Sequence, residues 1–202
     1  MKKQIIVIHG GATFNSHQEY IHFLKQGGVS ANTFKTKRSW KDFLQKELGE
    51  EFEVFTPQMP NKYNASYEDW KIWFERIIPF INDNVILIGH SLGGIFLAKY
   101  LSKNIFAKKI SAVLLVAAPF DDKDLQETLG DFILPLSLEK FYNQTKKIYL
   151  FFSNDDPVVP FEQMSKYKNV LLNAQMFTFT DRQHFNQESF PEILELLKNI
   201  QF

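Results

Sequence analysis

Six short apolar runs set the frame: "QIIVIH" (4–9), "FEVFTP" (52–57), "NVILIGH" (84–90), "AVLLVAAP" (112–119), "KIYLFFS" (147–153) and "AQMFTFT" (174–180). Several are continuous rather than alternating, which is how strands read when both faces of a parallel sheet are covered. Helix-like segments lie between them. "SWKDFLQKEL" (39–48) and "SYEDWKIWFERIIPFI" (66–81) each open on a serine cap with an acid three residues on or close to it. "LGGIFLAKYLSKN" (92–104) and "PEILELLKNIQF" (191–202) follow, the second with proline in its first turn. Parallel neighbours need crossover connections, so strands alternating with helices specify a doubly wound, mostly parallel α/β sheet with helices on both faces. The 202 residues are read as one domain, 1–202.

Two segments exceed this minimal pattern. Residues 14–38 put a helix-like piece and a Gly27-Gly28 break after the first strand, and residues 120–143 follow the fourth. Both leave the carboxyl ends of strands, where ligands sit in such sheets. They are therefore expected to be lid or pocket-wall insertions, with Phe14, Phe34 and Phe120 as apolar substrate-binding candidates.

The third run ends in Gly89-His90-Ser91-Leu92-Gly93, a G-x-S-x-G placed between a strand and a helix. A serine in so tight a turn needs neighbours two before and two after that are nearly free of side chain. The helix start also aims N–H groups and a positive dipole end at the site. The rival reading is a glycine-rich turn with a capping serine.

A serine nucleophile needs a base. His90 adjoins Ser91 and is read as a packing residue, and His17 and His22 as surface residues of the insertion. His184, in "TFTDRQHFNQ" after the last strand, falls on the same sheet edge as Ser91. The acid that orients it is sought in "NDDPVVP", after the fifth strand. Asp156 is preferred over Asp155 because D-x-x-V-P runs from it to Val159-Pro160; Asp181 is a weaker candidate. Serine, acid and histidine then follow in the order Ser91, Asp156, His184. Donors for an oxyanion are sought in His9-Gly10-Gly11, with Gly11 first, Ala12 next, and Leu92 alongside.

Composition removes other classes. Lys plus Arg and Asp plus Glu both total 23, so there is no net basic field for nucleic acid. Without cysteine there is no disulfide, no thiolate nucleophile and no cysteine-based zinc site, which fits a cytoplasmic chain. No metal is expected. The first apolar run is too short for a signal peptide, and no stretch approaches the roughly 20 apolar residues of a spanning helix.

With "IHGG", "MPNKYNASYEDW", "GHSLGG", "DDPVVP" and a late "HF", the chain resembles the α/β-hydrolase superfamily over nearly its whole length. More narrowly it resembles the small serine hydrolases typified by retinoblastoma-binding protein 9. The resemblance implies six strands in the order 2-1-3-4-5-6, catalytic roles for Ser91, Asp156 and His184, and ester hydrolysis without a cofactor. It has two departures: the long 14–38 insertion, and Gln183 before His184, where glycine is common. The expected activity is that of a cytoplasmic carboxylesterase acting on small-molecule acyl esters, with neither nucleic acid nor a membrane as a partner; a monomer is compatible with this, and the sequence leaves the oligomeric state open. Thioesterase and aminopeptidase share the acyl chemistry, and a blocked binding protein on a hydrolase scaffold is the alternative outside the enzymes. Dehalogenase is excluded, because that branch has aspartate as nucleophile.

Overall fold

In the computed structural model, which describes residues 2–145 and 147–200, the apolar runs form β1 (Lys3–Ile8), β2 (Phe52–Phe55), β3 (Val85–His90), β4 (Ile110–Val116), β5 (Ile148–Ser153) and β6 (Gln175–Phe179). They make one sheet in the expected order, β2-β1-β3-β4-β5-β6. Every neighbouring pair is parallel, so the sheet is wholly rather than mostly parallel. The crossovers carry α1 (His17–Gln26), α2 (Trp40–Leu48), α3 (Tyr67–Glu75), α4 (Leu92–Lys103), α5 (Glu139–Gln144) and α6 (Glu162–Val170), and α7 (Pro191–Asn199) follows β6.

Successive side chains of a strand point to opposite faces. Ile5 and Val7 of β1 therefore join Trp40 and Leu44 of α2 and Ile193 and Leu197 of α7 on one side. Ile6 and Ile8 join Trp70 and Phe74 of α3, Ile95 and Phe96 of α4, and Tyr167 of α6 on the other. This double cover is why the strands read as unbroken apolar runs. Helix α4 is buried from Leu92 through Ser102, pressed between β3, β4, α5 and a 3-10 turn at Gly130–Phe132. A polar face would have nothing to face there.

Several boundaries differ from the sequence reading, each for a local reason. Helix α3 was expected to reach Ile81 but stops at Glu75, and a 3-10 turn, Ile78–Phe80, follows. Pro79 offers no N–H to continue the helix and disfavours helical backbone before it. Strand β4 ends at Val116 because Ala117, at φ 45°, turns the chain out of the sheet. Helix α7 runs to Asn199; the expected continuation over 201–202 lies outside the described residues. Ser39 forms the expected capping box with Asp42. Ser66 does not cap α3 through its own side chain; the Tyr67 N–H donates instead to Asp131, 64 residues beyond Tyr67.

In the 14–38 segment, Ser16 caps α1 by accepting the Glu19 N–H, and α1 buries no side chain. Residues 120–143 cross the carboxyl edge of the sheet. There the Thr13 hydroxyl donates to the Thr128 carbonyl at 2.6 Å.

Candidate active site

Ser91 sits where β3 becomes α4, with φ 55° and ψ −124°. This conformation costs a non-glycine residue on the order of 1–3 kcal/mol and survives because its surroundings impose it. The glycines explain how. A Cβ on Gly89 would come within 2.4 Å of the Gly93 carbonyl, and one on Gly93 within 2.3 Å of the Ile8 carbonyl. The Ser91 N–H donates to Val116 O at 2.9 Å, pinning the turn to β4. The hydroxyl makes no capping bond to α4. The capping-serine reading therefore fails, and the Oγ is left available.

His184 and Asp156 come together from two different loops. His184 Nδ1 lies 2.9 Å from Asp156 Oδ2 and 3.1 Å from Oδ1. The Asp156 side chain is 2 % exposed and that of His184 11 %. Asp156 Oδ1 also accepts the N–H groups of Val158 and Val159 at 2.8 and 3.0 Å, so the Pro157–Pro160 turn fixes the carboxylate. A carboxylate facing Nδ1 keeps the proton there and leaves Nε2 as the acceptor. His184 and Ser91 line the same cleft, of about 530 Å³.

The rival acids are engaged elsewhere. Asp155 accepts from the Ser153 hydroxyl and, at 3.0 Å, from the Gln183 N–H. Those hydrogen bonds, the Ser153 one foremost, hold its carboxyl below the usual range. Asp181 pairs with Arg182 at 2.9 Å. Gln183 has φ 46°, which is the physical reason glycine suits that position.

Of the proposed oxyanion donors, Ala12 is corrected: its N–H already donates to Lys62 O at 2.8 Å. Gly11 and Leu92 have no backbone acceptor among the described residues, Leu92 because the first N–H groups of a helix have no partner within it. A Cβ on Gly11 would lie 2.7 Å from Lys62 O, so only glycine fits.

The three phenylalanines are also corrected, because none lines either cavity that Ser91 opens into. Phe14 packs on Tyr20 and Phe23 in a separate groove against α1. Phe34 is 79 % exposed. Phe120 makes a T-shaped contact with Tyr167 and packs against the core. The second cavity at Ser91, of about 90 Å³, is walled instead by Leu92, Pro119, Leu125, Leu129 and Val159, among others.

Two histidines do more than the sequence suggested. His90 is no mere packing residue: its Nε2 donates to the His184 carbonyl at 2.8 Å, while Nδ1 faces Lys41 Nζ at 3.3 Å. Burial holds its imidazole well below the ordinary range, so it is neutral, and the carbonyl partner places its proton on Nε2. Burial also pushes the Lys41 ammonium down to about 8. His9 Nε2 accepts the Met59 N–H at 2.8 Å and Nδ1 donates to Gly10 O at 2.6 Å, which bolts the glycine turn to the 59–65 loop. Only the position of His9 in "IHGG" hinted at this, and nothing in the sequence marked Trp40, whose indole donates to Phe185 O at 2.9 Å and secures the histidine loop.

Among the described residues no group of three or more His, Asp or Glu side chains could hold a metal ion. No helix among them is long and apolar enough to cross a membrane.

Residues 33–199 match the family model described as serine hydrolase. The chain is 27 % identical to the serine hydrolase RBBP9 of Rattus norvegicus over 165 residues, covering 80 % of this chain and 86 % of that protein. It is 23 % identical to YdeN of Bacillus subtilis (strain 168) over 202 residues, 98 % of this chain and 95 % of that one. The crystal structure of the ydeN gene product superposes with a TM-score of 0.77 at 20 % identity over 98 % of both chains, a likeness of fold.

Proposed function

Because the chain belongs to the serine hydrolase family, we propose that it is a carboxylesterase of small acyl esters, working through Ser91, His184 and Asp156. The observation that carries this reading is the pairing of a strained, uncapped Ser91 with an Asp156–His184 couple at 2.9 Å on the same cleft.

His184 Nε2 takes the Ser91 proton as Oγ attacks the ester carbonyl, and Asp156 stabilises the imidazolium that forms. The oxyanion falls to the Gly11 and Leu92 N–H groups, whose worth lies in being aimed before charge develops. The carbon–oxygen bond to the leaving group then breaks, and that oxygen receives the proton from His184. Water repeats the sequence on the acyl-enzyme, giving its proton to His184 and its oxygen to the acyl carbon, and Ser91 Oγ is reprotonated as the acid departs. The cavity of about 90 Å³ is smaller than the roughly 150 Å³ that holds a benzene ring, which suits acyl chains of a few carbons.

A fluorophosphonate probe tests the reading, because only an activated serine reacts. The wild type should label and hydrolyse short-chain esters. Ser91→Ala should do neither, with kcat lower by on the order of 10⁴–10⁶-fold and cooperative unfolding retained. A folded wild type that neither labels nor hydrolyses would instead make this a binding protein on a hydrolase scaffold.

A further inference from the structure

The two cavities that meet at Ser91 differ in chemistry. The small one sets Leu92, Pro119, Leu125, Leu129 and Val159 beside Thr13, Gln126, Thr128 and Glu127, and no cation lines it. The wide one carries Lys37, Arg38, Lys41 and Lys62, with Glu127 as the one carboxylate in its lining. The chain as a whole is balanced, 23 basic against 23 acidic residues, so this concentration is local. Among the described residues, none of the four cations forms an ion pair with a carboxylate. Three of them lie near aromatic faces: Arg38 is 6.0 Å from the Phe43 ring, Lys41 5.0 Å from Trp40, and Lys62 5.2 Å from Tyr63.

The cations stand on fixed backbone. Lys62 O receives the Ala12 N–H, which ties it to the oxyanion turn. Trp40, which follows the 37–39 stretch, donates its N–H to Gln187 O at 2.8 Å and so joins the basic stretch to the histidine loop. Lys41 is half-buried, and its hydrogen-bond partner is the neutral His90 ring. Four converging cations with one acid between them repel one another unless an anion enters.

The histidine decides which part of a substrate meets them. His184 lines the wide cleft and not the small cavity. The leaving group must take its proton from His184, so it lies on the basic side and the acyl chain on the side that no cation lines. The backbone N–H groups next to Ser91 are taken by the oxyanion, so recognition in the wide cleft falls to side-chain cations, chiefly the planar fork of Arg38, which matches a carboxylate.

We infer that the preferred substrate is a short-chain ester whose leaving group carries a carboxylate, held by Arg38, Lys62 and Lys41 in the wide cleft. The inference rests on the acyl-transfer reading above for which side each half of the substrate occupies. The anion site itself does not depend on turnover.

The test compares two near-isosteric esters, the acetyl esters of 4-hydroxyphenylacetate and of 4-hydroxyphenylacetamide, which differ in charge far from the reacting carbonyl. Calorimetric titration of Ser91→Ala, which leaves both esters intact, should show the carboxylate bound at least about tenfold more tightly, equivalent to about 1.4 kcal/mol. That ratio should fall toward one in an Arg38→Gln/Lys62→Gln background, fall only partway in Arg38→Lys, which keeps the charge but loses the fork, and shrink as added salt shortens the screening length from about 10 to 3 Å. The wild-type kcat/KM ratio should follow it. Equal affinity for the two esters, or measurable binding of neither, overturns the inference even if both are hydrolysed. A tenfold preference in Ser91→Ala with no hydrolysis by the wild type leaves the anion site standing and removes the esterase reading instead.

Discussion

At the scale of single residues, two adjacent aspartates have been given separate tasks. Asp156 faces the imidazole and is locked by two backbone N–H groups, whereas Asp155 holds Gln183 in its left-handed turn. Asp156→Asn should lower kcat by about 10⁴-fold, because an amide holds the wrong tautomer of His184. Asp155→Asn should have a mild effect. Parallel kinetics of the two variants decide the matter, and a reversed order would move the acid to Asp155. In the proposed mechanism, His90 acts as a positioning residue through its hydrogen bond to the His184 carbonyl. His90→Phe should cut kcat by about 10–100-fold with KM nearly unchanged, and His90→Gln, which can still donate to that carbonyl, should recover part of the loss. Equal damage in both variants, or a matching rise in KM, would make His90 only a packing residue.

At the scale of elements, the β3–α4 junction depends on close approach. A Cβ on Gly94 would lie 2.4 Å from Ala118 Cβ, so α4 can pack against the β4 end only while position 94 is bare. Gly94→Ala should cost about 1–3 kcal/mol in denaturant unfolding, as overpacking does. Ala118→Gly should return part of that cost in the double variant, since it removes the atom that is struck. Additive losses would show that the Gly89 carbonyl, 3.2 Å from the same Cβ, is the true obstacle. Element ends were legible where the signal was local: Ser39 with Asp42 marked the start of α2, and Pro191 that of α7. The start of α3 was only half legible, because its carboxylate comes from Asp131 in another segment.

At the scale of the whole molecule, Lys41 links the cleft to stability. Its ammonium is pushed from 10.5 down to about 8 by burial, so charging it opposes folding. That penalty is fully present below about pH 8 and fades as pH rises toward 10.5, because in this window the unfolded chain binds the proton and the folded one does not. The wild type should therefore gain stability from this group between those values. Lys41→Met should be more stable by on the order of 1–3 kcal/mol at pH 7, with the difference vanishing near pH 10.5. Unfolding of both proteins across that range measures it, and a pH-independent difference would mean that Lys41 folds without a desolvation penalty.

What the sequence determined by itself follows from short-range rules. Continuous apolar runs with helical segments between them imply a doubly covered parallel sheet, because parallel strands cannot be joined by tight turns. Gly89 and Gly93 around Ser91 imply a serine on a turn too tight for side chains, and the chain order of Ser91, Asp156 and His184 set out the candidates. Only tertiary structure decided what depends on distant chain meeting at one place. It spent the Ala12 N–H on Lys62, and it turned His90 from a neighbour of Ser91 into a support for the His184 carbonyl. Phe14, Phe34 and Phe120 were left away from Ser91, whose apolar wall comes from residues such as Leu125 and Val159. Lys37 and Arg38 before α2, Lys41 in its first turn and Lys62 in the 59–65 loop converged on one cleft, although the overall charge is zero. Hydrophobic periodicity and glycine sterics act over a few residues and can be read along a chain. A hydrogen bond, or a cluster of charge, between residues tens of positions apart is set by where the packed sheet brings its loops.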